Sequence, residues 1–286
     1  MAEIGKLNSL EVVRSSDFGL FLDGGDLGEI LLPKRYVQRQ WGPGDTVEVF
    51  LMRDSEDRLT AITVKPYAMV GEFAYLRVIS TTPVGAFLDW GLPKDLLVPF
   101  REQTVSMQEG RSYVVYVYLD DVSGRIAASA KLDRFLNRTA GNYAAGQAVE
   151  LLICARTDLG YKAIVDNTHW GMLFHSNVYQ PVECGQRING FVQRVQADGK
   201  LDLSLGKPGY DQIADVSDAI LAHLEAQGGF MPLTDKSPPE EINALFGVSK
   251  KSYKKAIGAL YKARKITFEN GGTKRVPQDS QGANEA

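Results

Sequence analysis

Between Ser249 and Val276 the chain carries nine basic side chains and a single acid, Glu269. Lysines and arginines at this density suit phosphate contacts, which position a nucleic acid without reading its sequence. A second chemistry is written twice farther upstream. DFGLFLDGG at Asp17–Gly25 and TPVGAFLDWG at Thr82–Gly91 set an aromatic and a glycine inside an apolar run. An aromatic face presented from such a strand can stack a base, worth about 1–3 kcal/mol per base. Catalysis has less to draw on. The three histidines and two cysteines, Cys154 and Cys184, show no metal-ligand spacing. The acids fall at turns without the convergence that general acid–base chemistry needs. Neither enzymatic activity nor a cofactor is expected, and the cysteines read as reduced, small hydrophobic side chains.

The repeated phrase belongs to a longer repeat. Gly19 and Gly85 are 66 positions apart (85−19), and Leu32-Pro33 with Val98-Pro99, then Gly44 with Gly110, keep that offset. Arg58-Leu59 and Arg125-Ile126 follow at 67 (125−58). A third, degraded copy runs through YKAIVDN at Tyr161–Asn167, GMLFHS at Gly171–Ser176, ECGQRINGFV at Glu183–Val192 and DGKLDLSL at Asp198–Leu205. Each copy reads as five short β-branched runs broken by Gly, Asp, Ser and Pro. Five short strands cannot bury both faces of an open sheet, whereas a closed barrel removes the edges. The expected fold is multidomain and mostly β, with a C-terminal α+β domain: three tandem five-stranded OB-fold barrels, then a winged helix. Their expected limits are 1–66, 67–135, 145–207 and 209–277, with a disordered tail at 278–286.

The C-terminal part has helical periodicity. Ile213, Val216, Ile220, Leu221 and Leu224 form one stripe. Ser237-Pro238 with Glu240 reads as a capped helix start, and Ser249 as the cap of a third helix. Asn270-Gly271-Gly272 signals a closing hairpin. In the third helix Tyr253, Ala256, Ile257 and Leu260 share one side, opposite Lys251, Lys254, Lys255, Lys262 and Lys265. Lys274 and Arg275 add charge from the hairpin. From 209 to 248 there is one lysine against seven acids, so charge is segregated within a chain of net charge −3. Such segregation favours nucleic-acid contact over a generic solvated face.

The order of these motifs resembles the S1 RNA-binding domain, over about residues 1–207. Three such domains ahead of a winged helix resemble the bacterial conserved virulence factor B family of RNA-binding proteins. The resemblance implies an RNA face of two aromatics, a histidine after the next strand, and an Asp and Arg at a hairpin. The first copy supplies Phe18, Phe21, Asp54 and Arg58, with Pro33 for the histidine. The second has Val84, Phe87, Asp121 and Arg125, with Pro99. The third has Tyr161, Ile164, His175, Gln196 and Lys200. Strict alternation separates Phe18 from Phe21 unless a bulge sits at Gly19. Phe21 and Phe87 are expected to be partly exposed beside Arg58 and Arg125. The resulting expectation is a non-catalytic cytoplasmic protein that binds single-stranded RNA and acts in post-transcriptional regulation. A DNA-binding transcriptional regulator is the alternative. No membrane association is expected, because the apolar run at Tyr113–Leu119 is too short to span.

Overall fold

Leu10 and Val12 are buried between exposed Ser9, Glu11 and Val13, the alternation of a strand with one face on a core. The strand is β1 (Leu7–Ser16), followed by β2 (Gly19–Asp23), β3 (Glu29–Pro33), β4 (Thr46–Arg53) and β5 (Leu59–Ile62). They close a barrel in the order β1-β2-β3-β5-β4 around Leu22, Ile30, Leu32, Val49 and Leu51. The computed structural model describes residues 1–137, 141–178, 181–206, 213–246 and 248–276. They fall into two compact units, 1–136 and 137–286. The expected C-terminal tail lies outside the described residues.

The first unit contains a second copy: β6 (Phe73–Thr82), β7 (Gly85–Asp89), β8 (Leu96–Pro99), β9 (Ser112–Leu119) and β10 (Ile126–Ser129). Its order is the same, except that β8 and β10 lie side by side without a hydrogen-bonded ladder. Strand β4 explains how the two barrels join. Val49 and Leu51 face its own core, while Phe50 and Met52 are buried in the neighbouring core with Leu76, Val78 and Trp90. The Phe50 and Trp90 rings meet edge to face at 5.8 Å. A strand apolar on both faces thus serves two barrels.

The second unit holds the third barrel, with β11 (Ala148–Arg156), β12 (Gly160–Val165), β13 (His169–Phe174), β14 (Arg187–Val195) and β15 (Leu201–Ser204). It closes through the parallel pairing of β13 with β15, Gly171 opposite Leu201. The C-terminal domain has α1 (Ile213–Ala226), β16 (Phe230–Met231), α2 (Pro239–Phe246), α3 (Lys250–Lys262), β17 (Ile266–Glu269) and β18 (Gly272–Arg275), the layout of a winged helix. Ser249 caps α3, its Oγ accepting from the Ser252 amide at 3.0 Å. Ser237 does not cap α2. That helix starts one residue later than expected, at Pro239, and the Ser237 Oγ accepts from Thr234 N at 2.9 Å instead.

The barrels share one tight hairpin. Ser16 pairs with Gly19, Thr82 with Gly85, and Thr157 N donates to Gly160 O at 2.7 Å. Each glycine has positive φ, +146°, +155° and +156° in chain order. A Cβ there would strike the carbonyl oxygen of Leu32, Val98 or Leu173. Gly85→Ala should therefore destabilise the first unit by about 2 kcal/mol or more, read by chemical denaturation. A change under about 0.5 kcal/mol, the level of an ordinary surface substitution, would refute the steric argument.

In the winged helix the Tyr253 ring is fully buried, and its hydroxyl lies near the Thr273 hydroxyl, which itself donates to Leu233 O at 2.6 Å, without forming a hydrogen bond of ordinary geometry. Burial pushes its phenol up to about 12. Since an unsatisfied buried hydroxyl carries an uncompensated desolvation cost, Tyr253→Phe should leave Tm unchanged or raise it. A loss above about 1 kcal/mol would mean that the hydroxyl is hydrogen-bonded in solution.

Candidate nucleic-acid interface

The hairpin geometry places Phe18 differently from the expected bulge. Asp17 and Phe18 are the two-residue turn itself, so strand alternation does not apply, and Phe18 is 76% exposed. Val84 and Leu159 occupy the same tip in the other barrels, at 60% and 65%. The backbone closes behind each tip: Lys34 N donates to Phe18 O at 2.8 Å, Phe100 N to Val84 O at 3.4 Å, and His175 N to Leu159 O at 3.1 Å. The irregularity in the first barrel lies in β1, between Val12 and Arg14.

This register aligns the copies. Gly19 pairs with Pro33, Gly85 with Pro99 and Gly160 with Phe174. Phe174, rather than His175, therefore stands where the two prolines do. Lys162 stands where Phe21 and Phe87 do, and Tyr161 takes the inward position of Leu20 and Ala86. At the hairpin, Asp54 N and Asp120 N donate to Arg58 O and Arg125 O at 3.0 and 2.9 Å. Asp120, rather than Asp121, is thus the counterpart of Asp54. The second hairpin is one residue longer, which displaces the match by sequence.

Phe21 is half-buried on the outer face of β2. The guanidinium over its ring is that of Arg14, its cross-strand neighbour, with Cζ 3.7 Å from the centroid. Glu29 holds Arg14 through contacts of 3.0 and 2.7 Å. Arg58 instead forks onto Asp54 at 2.9 and 2.8 Å and reaches Glu56 at 2.7 Å. Slight burial pushes the Asp54 carboxyl up, but hydrogen bonds from Arg58 and the turn amides outweigh it and hold it below the usual range. Phe87 is also half-buried, but Arg125 points to the first barrel. It grips Asp57 bidentately at 2.8 and 2.7 Å, and these bonds lower the Asp57 pKa. Arg53 Nε donates to Gly124 O at 3.2 Å beside it. Neither ring is paired with its own hairpin arginine. The sequence reading missed Phe100, exposed directly after Pro99. An aromatic following the strand-ending proline was its signal.

In the third barrel Tyr161 packs against the core and meets the exposed His175 ring edge-on at 5.5 Å. The outer face of β12 and β13 carries Lys162, Trp170, Met172 and Phe174, all half-buried, with Lys162 Nζ 3.7 Å from the Trp170 ring centroid. Lys200 pairs with Asp198 at 2.6 Å. Alternation in HWGMLF marks Trp170, Met172 and Phe174 as sharing one face, but matching by motif sets these residues one position out of step.

On the winged helix, Tyr253, Ala256, Ile257 and Leu260 are buried, while Lys251, Lys254, Lys255, Lys262 and Lys265 are exposed. Lys254 lies 3.6 Å from Asp235, Lys274 lies 3.0 Å from Glu269, and Arg275 is ion-paired with Glu225. In the last turn of α3 the exposed Tyr261 ring stacks on exposed Phe268 of β17 at 5.3 Å and 27°, next in sequence to Lys262 and near Lys265. Sequence reasoning did not bring these two together, since they lie on different elements. Among the described residues no group of three or more His, Cys, Asp or Glu is placed to hold a metal ion. No helix among them is long and apolar enough to cross a membrane.

Comparison with known proteins matches these parts. The S1 domain family model matches residues 4–64, and the CvfB-like winged helix domain model matches residues 218–274. "Uncharacterized protein YitL" of Bacillus subtilis (strain 168) is 28% identical over 286 residues, covering 94% of this chain and 92% of the relative. "Conserved virulence factor B" of Staphylococcus aureus (strain N315) is 24% identical over 281 residues, with 94% and 92% covered. A crystal structure of a Streptococcus pneumoniae TIGR4 multidomain protein with nucleic acid binding domains is 26% identical, covering 96% of this chain and 98% of that one, with a TM-score of 0.40. Barrels of S1 type followed by a winged helix are a nucleic-acid-binding architecture. The chain thus carries an S1 domain match followed by a CvfB-like winged helix match, and it is similar to the conserved virulence factor B proteins over 94% of its length.

Proposed function

We propose that the protein binds single-stranded RNA and regulates gene expression after transcription, in the cytoplasm. The observation that carries this reading is the charge separation on α3, where exposed Lys251, Lys254, Lys255 and Lys262 lie opposite the buried stripe and exposed Lys265 follows just beyond the helix. Lysine supplies phosphate contacts, while the Asn and Gln side chains that pair with base edges in a duplex groove are missing from this face. Stacked Tyr261 and Phe268, and the barrel rings Phe18, Phe21, Phe87 and Phe100, supply faces for unpaired bases. We assign His175, Lys200, Arg58 and Arg125 supporting roles at the barrel rims, and Tyr161 a role shared with the core. Lys274 and Arg275 extend the basic face onto the wing. Weak modules joined in series gain affinity through effective concentration.

Competition between a single-stranded RNA and a duplex DNA of the same sequence tests the choice of partner. RNA should win at equal concentration; preference for the duplex would favour a DNA-binding regulator. Reversal of Lys251, Lys254 and Lys255 to Glu should weaken RNA binding similarly for all sequences. The slope of log K against log salt should flatten by about 0.7 for each phosphate no longer neutralised. An unchanged slope would leave the face merely solvated.

Phe21→Ala and Phe87→Ala separate stacking from packing. If the rings are platforms, each change should cost about 1–3 kcal/mol in RNA affinity with little change in Tm. If they serve as core, folding stability should fall by about 3–5 kcal/mol, with affinity retained by the folded fraction.

A further inference from the structure

The three barrels repeat a second backbone device. In each, a turn before the fourth strand hydrogen-bonds to the first strand just ahead of its bulge. Gly44 N donates to Val12 O at 2.9 Å and Val12 N to Asp45 O at 2.8 Å. Gly110 N donates to Val78 O and Val78 N to Arg111 O, both at 2.9 Å. Gly185 N donates to Ile153 O at 2.7 Å and Ile153 N to Gln186 O at 3.0 Å. Each glycine has positive φ, between +78° and +91°. Two residues facing one, with glycine first, make a bulge that bends the chain.

The residue next outward on each side can be compared across copies. It is Val13 with Pro43 in the first barrel, Ile79 with Glu109 in the second, and Cys154 with Cys184 in the third. The side chain at this turn corner reaches across to the first strand: Glu109 Oε1 accepts from Thr81 N at 2.9 Å. A disulfide bridges Cα atoms about 4.4–6.8 Å apart, and the two hydrogen bonds between Ile153 and the Gly185 turn hold the adjoining Cys154 and Cys184 on facing segments. Cys154 is the bulged residue between Ile153 and Ala155, and Cys184 is exposed. Burial pushes the Cys154 thiol up to about 12, and the nearby Cys184 sulfur adds to that push. The exposed partner is therefore the one that meets an oxidant.

The geometry points to Cys154 and Cys184 as a reversible disulfide site, closed by a hydroperoxide and opened by a small thiol. The Cys184 thiolate attacks the peroxide O–O bond and keeps one oxygen as a sulfenic acid, releasing water or alcohol. The Cys154 sulfur then attacks the Cys184 sulfur; hydroxide leaves and takes up the Cys154 proton as water, and the S–S bond forms. The two thiols lose two protons and two electrons, and the peroxide takes both electrons. The new bond would tie the turn before β14 to the β11 bulge, whose next residue, Ala155, pairs with Lys162. Oxidation would in this way brace the strand that carries Lys162 over Trp170.

The test treats the full chain with hydrogen peroxide and titrates thiols after unfolding. Both thiols should disappear, the intact mass should fall by two hydrogens, and the protein should not dimerise on a non-reducing gel. Peptide mapping should join Cys154 to Cys184, and dithiothreitol should restore both thiols. Sulfinic or sulfonic acid on Cys184 with Cys154 still a free thiol would overturn the proposal, as would cross-linking between chains. The Cys184→Ser protein, altered at an exposed position, should keep Cys154 titratable under the same treatment. Loss of the Cys154 thiol in that variant would equally overturn it.

Discussion

At Gly19, Gly85 and Gly160 the third strand of each barrel runs where a side chain would have to be. That exclusion makes glycine obligatory and holds the hairpin at two residues, so the residue before the glycine projects from the barrel. The same close approach lets the amide after the third strand bond back to the tip carbonyl. It also sets the register that turns the residue two beyond the glycine outward. Phe18 and Phe21, Val84 and Phe87, and Leu159 and Lys162 are the three results of one backbone constraint. Side-chain chemistry can drift at these positions while the frame that presents them stays fixed.

Burial on both faces of β4 has a consequence for the hairpins. Because Phe50 and Met52 belong to the second core, the first barrel is fixed against the second by apolar contact. This brings the β4–β5 tip against the β9–β10 tip, where Arg125 meets Asp57 and Arg53 meets Gly124. An exposed ion pair of this kind adds little to stability, so the shared core, and not the charge pair, holds the barrels together. The pair nonetheless occupies Arg125. A phosphate would have to compete with a bidentate carboxylate for that guanidinium, whereas Lys251 and Lys262 of α3 are exposed.

The repeat, the barrels, the winged helix and the lysine face could be read from sequence because each depends on local periodicity. Period-two burial marks β1, and three-to-four spacing marks Tyr253, Ala256, Ile257 and Leu260. Contacts made across strands could not be read in this way. Arg14 over Phe21 depends on the β1–β2 register, and Tyr261 against Phe268 depends on how a helix end meets the wing. Sequence matching misses Asp120 by one residue because the second hairpin holds one residue more than the first; it misses Phe174 with no insertion, the offset staying at 75 (160−85, 174−99), because residue type drew the match to His175. Ser237 fits the capping pattern in composition, yet the second of two prolines sets the helix start and the serine closes the preceding turn.

The third barrel shows what a fixed frame permits. Its outer face replaces the ring of Phe21 and Phe87 with Lys162, and places the aromatic surface one strand over, at Trp170. Lysine and tryptophan together still present a cation beside a π face, the combination that Arg14 and Phe21 give in the first barrel. The donor and the ring have changed strands, but their separation is 3.7 Å in both. A sequence alignment scores this exchange as loss of the motif. In physical terms a cation beside a ring is retained, whichever strand supplies each. The divergence of the third copy is therefore a rearrangement of the same surface chemistry on an unchanged backbone.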